Sequence, residues 1–383
     1  MRRIRLGTVC LLLTGLLGFG VGQGAVAQTS ETQAFQSDDY PLNVITVATG
    51  LRHPWGMAFL PDGRMIVTER EGDIRIVTSQ GEISSPLKGL PKAYIRGQGG
   101  VLDVALDPRF PENDLIYVSF SEPGSGGAGT AVFRARLDLR EGSLKDGRII
   151  FRQEPKSAGG RHFGSRLVFA PDGTLFITIG DRGERDRTQD LTINRGQVIR
   201  INSDGSIPSD NPFVGVAGKR PEVWSYGHRN AQGAALHPTT MRLWTVEHGA
   251  RGGDEINLPE AGMNYGWPVI SYGRHYSGGK IGEGTRKPGY EQPLYYWDPS
   301  IAPSGMTFYT GEAFARWQGD LFVGSLKFGQ LIRLELDGTR ILAEERLLTG
   351  LDDRIRDVRQ APDGLIYLLT DDYDGRILRI APR

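Results

Sequence analysis

Hydrophobic and polar residues alternate along this chain in short runs that come in pairs, and each pair is joined by a tight turn. An alternating run, a Pro-Asp-Gly or similar turn, and a second alternating run read as two strands of a hairpin. The unit occurs at residues 56–67, at 101–108 leading to 115–119, and at 165–178. It returns at 233–238 leading to 242–246, at 305–309 leading to 320–324, and at 355–369. Strands that cannot bury both faces alone do so by stacking radially, so six copies predict an all-β chain folded as a six-bladed β-propeller around a central channel. A β-sandwich explains the repetition less well. Hardly any stretch has the period of an amphipathic helix.

The beginning of the chain follows a different pattern. Met1-Arg2-Arg3-Ile4-Arg5 is basic, residues 10–19 are apolar, and Ala25-Val26-Ala27 places small residues where a signal peptidase cuts. Residues 1–27 therefore read as a cleaved signal peptide, 28–40 as an N-terminal extension and 41–383 as the propeller, with a periplasmic or secreted destination. No later segment has the roughly 18 to 20 uninterrupted apolar residues needed to cross a bilayer, so no membrane anchor is expected. Sharing the remaining chain among six blades gives about 59 residues each, more than a compact propeller repeat of ~40–45, so long loops are expected. Loops are where function usually sits.

The only cysteine, Cys10, lies in the signal, and the exported chain would carry neither thiol nor disulfide. Its stability must come from a large core. Lysine and arginine number 45 against 45 aspartates and glutamates, a formal net charge of +0, which argues against nucleic acid or an anionic membrane as partner and favours a small molecule. Three glycine-rich or polar stretches, 122–129, 180–187 and 247–255, fall between strands. None opens a helix after a strand, so the dinucleotide and phosphate-loop fingerprints do not apply.

Several polar residues cluster beside the starts of predicted strands, where they face the channel mouth. His162 has the chemistry of a general base, or of a hydrogen-bonded channel histidine. Arg229 and Asn230 pair a cation with an amide at a turn, suited to an anionic or carbonyl-rich ligand or to a salt bridge between blades. Lys327, Arg354 and Arg356 add cations, and alternation puts the two arginines on one face of their strand. Singly, each reads as a solvated edge. Together they call for an anion with several carboxylates or phosphates. The loop 253–257 with 264–267 offers oxygen ligands for a hard cation such as Ca²⁺, or else Asp254 and Asn257 simply tie it down. Residues 371–375 lack calcium-loop spacing and read as a blade turn.

In order along the chain, Gly97-Gln-Gly-Gly100, Arg161-His-Phe-Gly-Ser-Arg-Leu-Val168, residues 196–212, Gly227-His-Arg-Asn230, Gly253-Asp-Glu-Ile-Asn257, Asn264-Tyr-Gly-Trp-Pro268 and Arg354-Ile-Arg-Asp357 resemble the soluble pyrroloquinoline quinone (PQQ)-dependent sugar dehydrogenases, above all the bacterial aldose sugar dehydrogenases. The similarity spans nearly the whole exported chain. It implies an enzyme that oxidises aldoses at C1 to the lactone. His162 would remove the proton from the anomeric hydroxyl while hydride passes to the quinone C5 carbonyl, and Arg229 would steady the developing negative charge.

The resemblance further implies that Gln98, Arg229, Asn230, Tyr276, Lys327, Arg354 and Arg356 hold PQQ, whose three carboxylates answer the cations. Ca²⁺ would bind the carbonyls of Gly249 and Ala250, and a second Ca²⁺ would use Glu255 and the region of Tyr265. Electrons would pass to an external acceptor, a cytochrome or a quinone, and the chain would act as a monomer. The glucose dehydrogenase branch has an acidic residue where this chain has Arg161, which leaves open what orients His162. The short 267–304 loop implies an open cleft and broad aldose use. The rival readings are a calcium-dependent lactone hydrolase, which wants several carboxylates around a metal, and a non-enzymatic carbohydrate- or protein-binding propeller.

Overall fold

The protein is described from a computed structural model, over residues 31–383. The expected signal peptide lies outside the described residues. The Pro-Asp-Gly turns set the pattern of the fold: in each, glycine takes a positive φ (84° at Gly63, 82° at Gly173, 78° at Gly364). The aspartate Oδ1 accepts the N–H two residues on, at 2.9 Å from Thr174 and Leu365 and 3.1 Å from Arg64. Such turns reverse the chain tightly and bring neighbouring alternating runs into antiparallel register.

Six sheets result, each matching one predicted pair of strands. Their first strands are Pro54–Phe59, Val101–Leu106, Leu167–Phe169, Ala231–Leu236, Pro303–Phe308 and Ile355–Gln360. Each of these touches the first strand of the next blade, and Ile355–Gln360 returns to Pro54–Phe59, which closes the ring. Blade 1 has three strands, blades 2 to 5 have four, and blade 6 has five. Blade 6 joins the two ends of the described chain: Pro41–Leu51 pairs with Gly375–Pro382 and carries Thr32–Gln36 on its outer side. Part of the expected N-terminal extension is thus an edge strand of the propeller.

The apolar core is divided among the interfaces between blades. Ile66, Val104 and Phe120 pack between blades 1 and 2, Tyr117, Leu175 and Ile199 between 2 and 3, and Phe176 and Ala234 between 3 and 4. Trp244 and Val323 fill the next interface, Phe322 and Leu368 the one after, and Met57 and Leu369 complete the circle.

Four charged side chains cross the axis. Asp103 binds Arg166 at 2.8 Å and Arg359 at 2.9 Å, and Asp357 binds the same arginines at 3.1 and 2.9 Å. Arg166 also donates to the Gln232 carbonyl, so the group links blades 2, 3, 4 and 6. Asp103 and Arg166 are almost fully buried, where an unpaired charge is expensive. Asp103→Ala should therefore lower the unfolding free energy by about 3–5 kcal/mol, whereas joint replacement by apolar residues, Asp103→Leu with Arg166→Met, should cost less. Guanidinium titration of each variant checks this, and a single-mutant loss below about 1 kcal/mol would contradict it.

Candidate active site

The loop entering blade 3 holds His162 in a left-handed backbone conformation, φ 56°. That geometry is costly for a non-glycine residue and persists only where its surroundings fix it. Gln98 does so from the preceding blade: its Oε1 accepts the His162 N–H at 2.7 Å. On the other side Gly180 allows a close approach, since a Cβ there would lie 2.0 Å from the His162 carbonyl oxygen.

Gly180 is followed by Asp181, whose Oδ1 lies 2.6 Å from His162 Nδ1. Asp181 also accepts the Gly183 N–H at 2.6 Å and the Trp267 indole N–H at 2.9 Å. Burial works against its charge, but the hydrogen bond and charge of His162, with Arg229 and the Gly183 N–H, hold the carboxyl below its usual range. A carboxylate on Nδ1 fixes the tautomer and turns Nε2 outward. The imidazole is only 12% exposed. Burial pushes it below its ordinary value of 6.5, and the charges of Arg229 and Arg161 add to that against the pull of Asp181. Burial thus favours the neutral ring, and the residue that orients it is Asp181.

His162 lines a cavity of about 430 Å³ with Gln98, Arg161, Arg185, Arg229 and Trp267. The 258–294 segment of blade 4 forms the far wall through Trp267, His275, Tyr276 and Ile281. Two further cavities adjoin it, since Gln98 lines all three. One of about 460 Å³ adds Asn230, His248, Gly249, Ser300, Lys327 and Arg354. The other, about 570 Å³, adds His53, Trp55, Arg70, Arg356 and Asp371.

The cations of this cleft have few partners. Arg229 donates to the His248 carbonyl at 3.1 Å and lies 5.3 Å over the Trp267 ring. Lys327 donates to the Ser300 carbonyl at 3.1 Å. Neither has an ion pair among the described residues. Arg354 and Arg356 do point together, both toward Asp371 Oδ2, at 3.5 and 2.6 Å. Arg70 and His53 complete the circle around that carboxylate. Asp371 is held well below the usual carboxylate range: burial opposes this, but Arg356, Arg70 and Arg354 outweigh it. Buried Arg229 Nε, Arg356 Nε, Arg70 Nε and His248 Nε2 have no hydrogen-bond partner among the described residues. Buried donors left unpaired around a cavity are a ligand's contacts in waiting.

Every residue expected at a quinone site lines this cleft. Asn230 is buried with its Oδ1 accepting the Gly164 N–H at 3.0 Å, and Tyr276 stands at the rim, 75% exposed. Gly249 and Ala250 lie where the cavities meet. No donor reaches the Gly249 carbonyl among the described residues, and the Ala250 carbonyl accepts the Arg274 N–H.

Glu255 and Tyr265 line a small void of about 20 Å³ with Glu247 and Gly253, adjoining the cleft through Arg229, Gly249 and Trp267. The Glu255 carboxyl is pushed up to about 8 by burial and by the Glu247 carboxylate. The Tyr265 hydroxyl donates to the Leu258 carbonyl, so its side chain is already engaged. Asp254 ties loops together, accepting from Gly249, Ser300, Ile301 and Ala302, and Asn257 donates to Glu247. Sequence reasoning missed Asp181, Arg70, His248 and the channel-facing role of Asp371.

A model of the glucose/sorbosone dehydrogenase family matches residues 51–379. Aldose sugar dehydrogenase YliI of Escherichia coli (strain K12) is 46% identical over 346 residues, covering 89% of this chain and 93% of that protein. The crystal structure of the soluble E. coli aldose sugar dehydrogenase in its apo form superposes with a TM-score of 0.87 at 46% identity, covering 89% of this chain and all of that one. The PQQ-bound form of aldose sugar dehydrogenase from Streptomyces coelicolor superposes at 0.74 with 29% identity, covering 93% and 99%.

Proposed function

The chain belongs to the glucose/sorbosone dehydrogenase family, and from that premise we propose that it oxidises aldoses at C1 to the lactone, with PQQ and Ca²⁺ bound in the central cleft and electrons leaving to an external acceptor. One observation carries the reading: an oriented, neutral histidine opens onto the same cleft as a group of under-compensated cations. Arg70, Arg229, Lys327, Arg354 and Arg356 face only Asp371 and the exposed Asp372 across these cavities. A rigid tricarboxylate fits that imbalance, and the unpaired nitrogens of Arg229, Arg356 and Arg70 offer it donors. The PQQ-bound relative supports the same assignment.

When bound, the quinone supplies a two-electron acceptor for hydride from sugar C1. The protein does the rest of the work. His162 Nε2 takes the proton of the C1 hydroxyl, and Asp181 on Nδ1 stabilises the imidazolium that forms. Arg229 stands beside it and steadies negative charge growing on the reacting oxygen, a contribution of about 3–4 kcal/mol in comparable sites. Trp267 and Ile281 keep water from one wall. Lys327, Arg354 and Arg356 would hold the cofactor carboxylates, and Gln98, Asn230 and Tyr276 would supply further contacts to it.

Calcium is a hard cation that takes oxygen ligands, and the open carbonyl of Gly249 beside that of Ala250 suits it. At the void beside Glu255, Glu247 is already paired with His228, and a second ion would bind the Glu255 carboxylate once it gives up its proton. The lactone-hydrolase alternative wants several carboxylates around a metal, whereas no group of three or more such ligands occurs among the described residues.

Two measurements follow. Lys327 touches little besides the Ser300 carbonyl and the Phe328 ring, so Lys327→Gln should weaken PQQ binding about tenfold with little change in stability. Calorimetric titration of the cofactor-free protein checks this; unchanged affinity would remove Lys327 from the cofactor site. For the second ion, metal must displace the proton that Glu255 holds below about 8. Calcium affinity should therefore rise as pH rises toward 8 and level off above it. Thermal melts with and without Ca²⁺ at pH 6 and 8.5 should show the larger stabilisation at 8.5, and Glu255→Gln should abolish the difference. Equal shifts at both pH values would contradict the second site.

A further inference from the structure

The cavity in front of His162 carries more positive charge than proton abstraction from a neutral sugar calls for. Arg161 and Arg185 line this cavity and neither of the two where the cofactor is placed. The Arg161 guanidinium lies against the backbone of Gly183, where a Cβ would be 2.5 Å from its Nε. It has no ion pair among the described residues. Arg185 reaches the His275 ring at 3.2 Å, and its one acidic neighbour, Asp186 at 3.4 Å, is itself 85% exposed. The single carboxylate on the lining, Asp181, is committed to His162, Gly183 and Trp267. Arg161 and Arg229 both work against protonation of His162. Two guanidinium groups with spare donors, held on the walls of one cavity, are a receptor for an anion.

Resting on the aldose reading above, we propose that this site prefers aldoses bearing a negative charge away from C1, namely a uronate carboxylate or a sugar phosphate. A monosaccharide with C1 at His162 keeps its remaining carbons inside a cavity of about 430 Å³, within reach of these arginines. Both kinds of acid sugar retain a free C1 hydroxyl, so the oxidation is unchanged: the C1–H bond breaks and its hydride goes to the quinone acceptor, the C1 hydroxyl proton goes to His162, and the lactone forms. The chain's formal net charge of +0 makes the attraction local to the cavity.

The test compares kcat/KM of the quinone- and calcium-loaded enzyme for glucose, glucuronate and glucose 6-phosphate at low and high NaCl, in the wild type and in Arg161→Gln/Arg185→Gln. The expected result is an advantage of about tenfold for an acid sugar over glucose, carried by KM, shrinking with salt and falling to near parity in the double variant. An advantage for glucuronate alone identifies a carboxylate as the anion, and for the phosphate alone a phosphoryl group. Glucose turned over as well as both acid sugars, or a ratio that neither salt nor the substitutions move, overturns the proposal and leaves the dehydrogenase reading standing. No turnover of any aldose overturns that reading and this inference with it.

Discussion

His162→Ala lowers kcat for aldose oxidation by about 10²–10⁴-fold while PQQ binding is retained. Three other histidines border the cleft, and each fails as base for a stated reason. His53 is paired with Asp371 at the far end. His248 is kept well below 6.5 by burial and by Arg229 and Arg356 and has no orienting carboxylate among the described residues, and although it shares the cavity of about 460 Å³ with His162 it does not line the one of about 430 Å³. His275 lines it, yet its neighbour is a guanidinium where a base needs a carboxylate. Only His162 joins an oriented ring, an outward Nε2 and a place on the wall. Because a base must be deprotonated to act and burial lowers this imidazole, kcat/KM should rise with pH through a midpoint below 6.5 and then stay flat. Dye-linked kinetics with a parallel quinone titration check both statements. A variant within tenfold of wild type, or an acid limb centred above 7, would remove His162 from the role.

Asp181→Asn costs about 10²–10⁴ in kcat, with the quinone affinity little changed and the fold losing no more than about one buried hydrogen bond, ~1–3 kcal/mol. An asparagine has one acceptor oxygen where the carboxylate uses two, so it keeps the bond from Gly183 or the one from Trp267 but not both; it no longer stabilises an imidazolium, and an amide NH2 facing Nδ1 turns the histidine to the wrong tautomer. Asp181 touches no substrate and acts through His162, so the pH profile is the informative readout. Loss of the carboxylate removes the hydrogen bond and negative charge that favour the protonated His162, and the acid limb should move to lower pH. A packing role alone would reduce stability and leave the limb where it was.

The blade count was legible because the Pro-Asp-Gly turns and the alternation around them depend only on local geometry. The five-stranded sixth blade was not: Thr32–Gln36 gains its strand character by pairing with Pro41–Leu51, and nothing in TQAFQ announces that partner. The cations were legible as residues, and Arg354 with Arg356 even as a pair, since strand alternation fixes relative direction. What they face was hidden. Asp371 reads correctly as part of a turn, between Ile366–Thr370 and Gly375–Pro382, but its carboxylate points at cations from blades 1 and 6. Asp181 was hidden in the same way, because the polar stretch after Gly180 resembles a linker and only folding brings it within 2.6 Å of His162. The signal that could have found it is chemical: a base that works needs an orienting carboxylate, and Arg161 could not be it.

The central claim is that this cleft becomes a catalytic centre when it holds PQQ and Ca²⁺. Dye-linked oxidation of glucose, xylose, galactose and maltose by the purified, cofactor-free protein, before and after addition of PQQ with Ca²⁺, tests it directly. Turnover that requires both additions and extends across several aldoses is the predicted result; no turnover of any aldose despite tight quinone binding would contradict it.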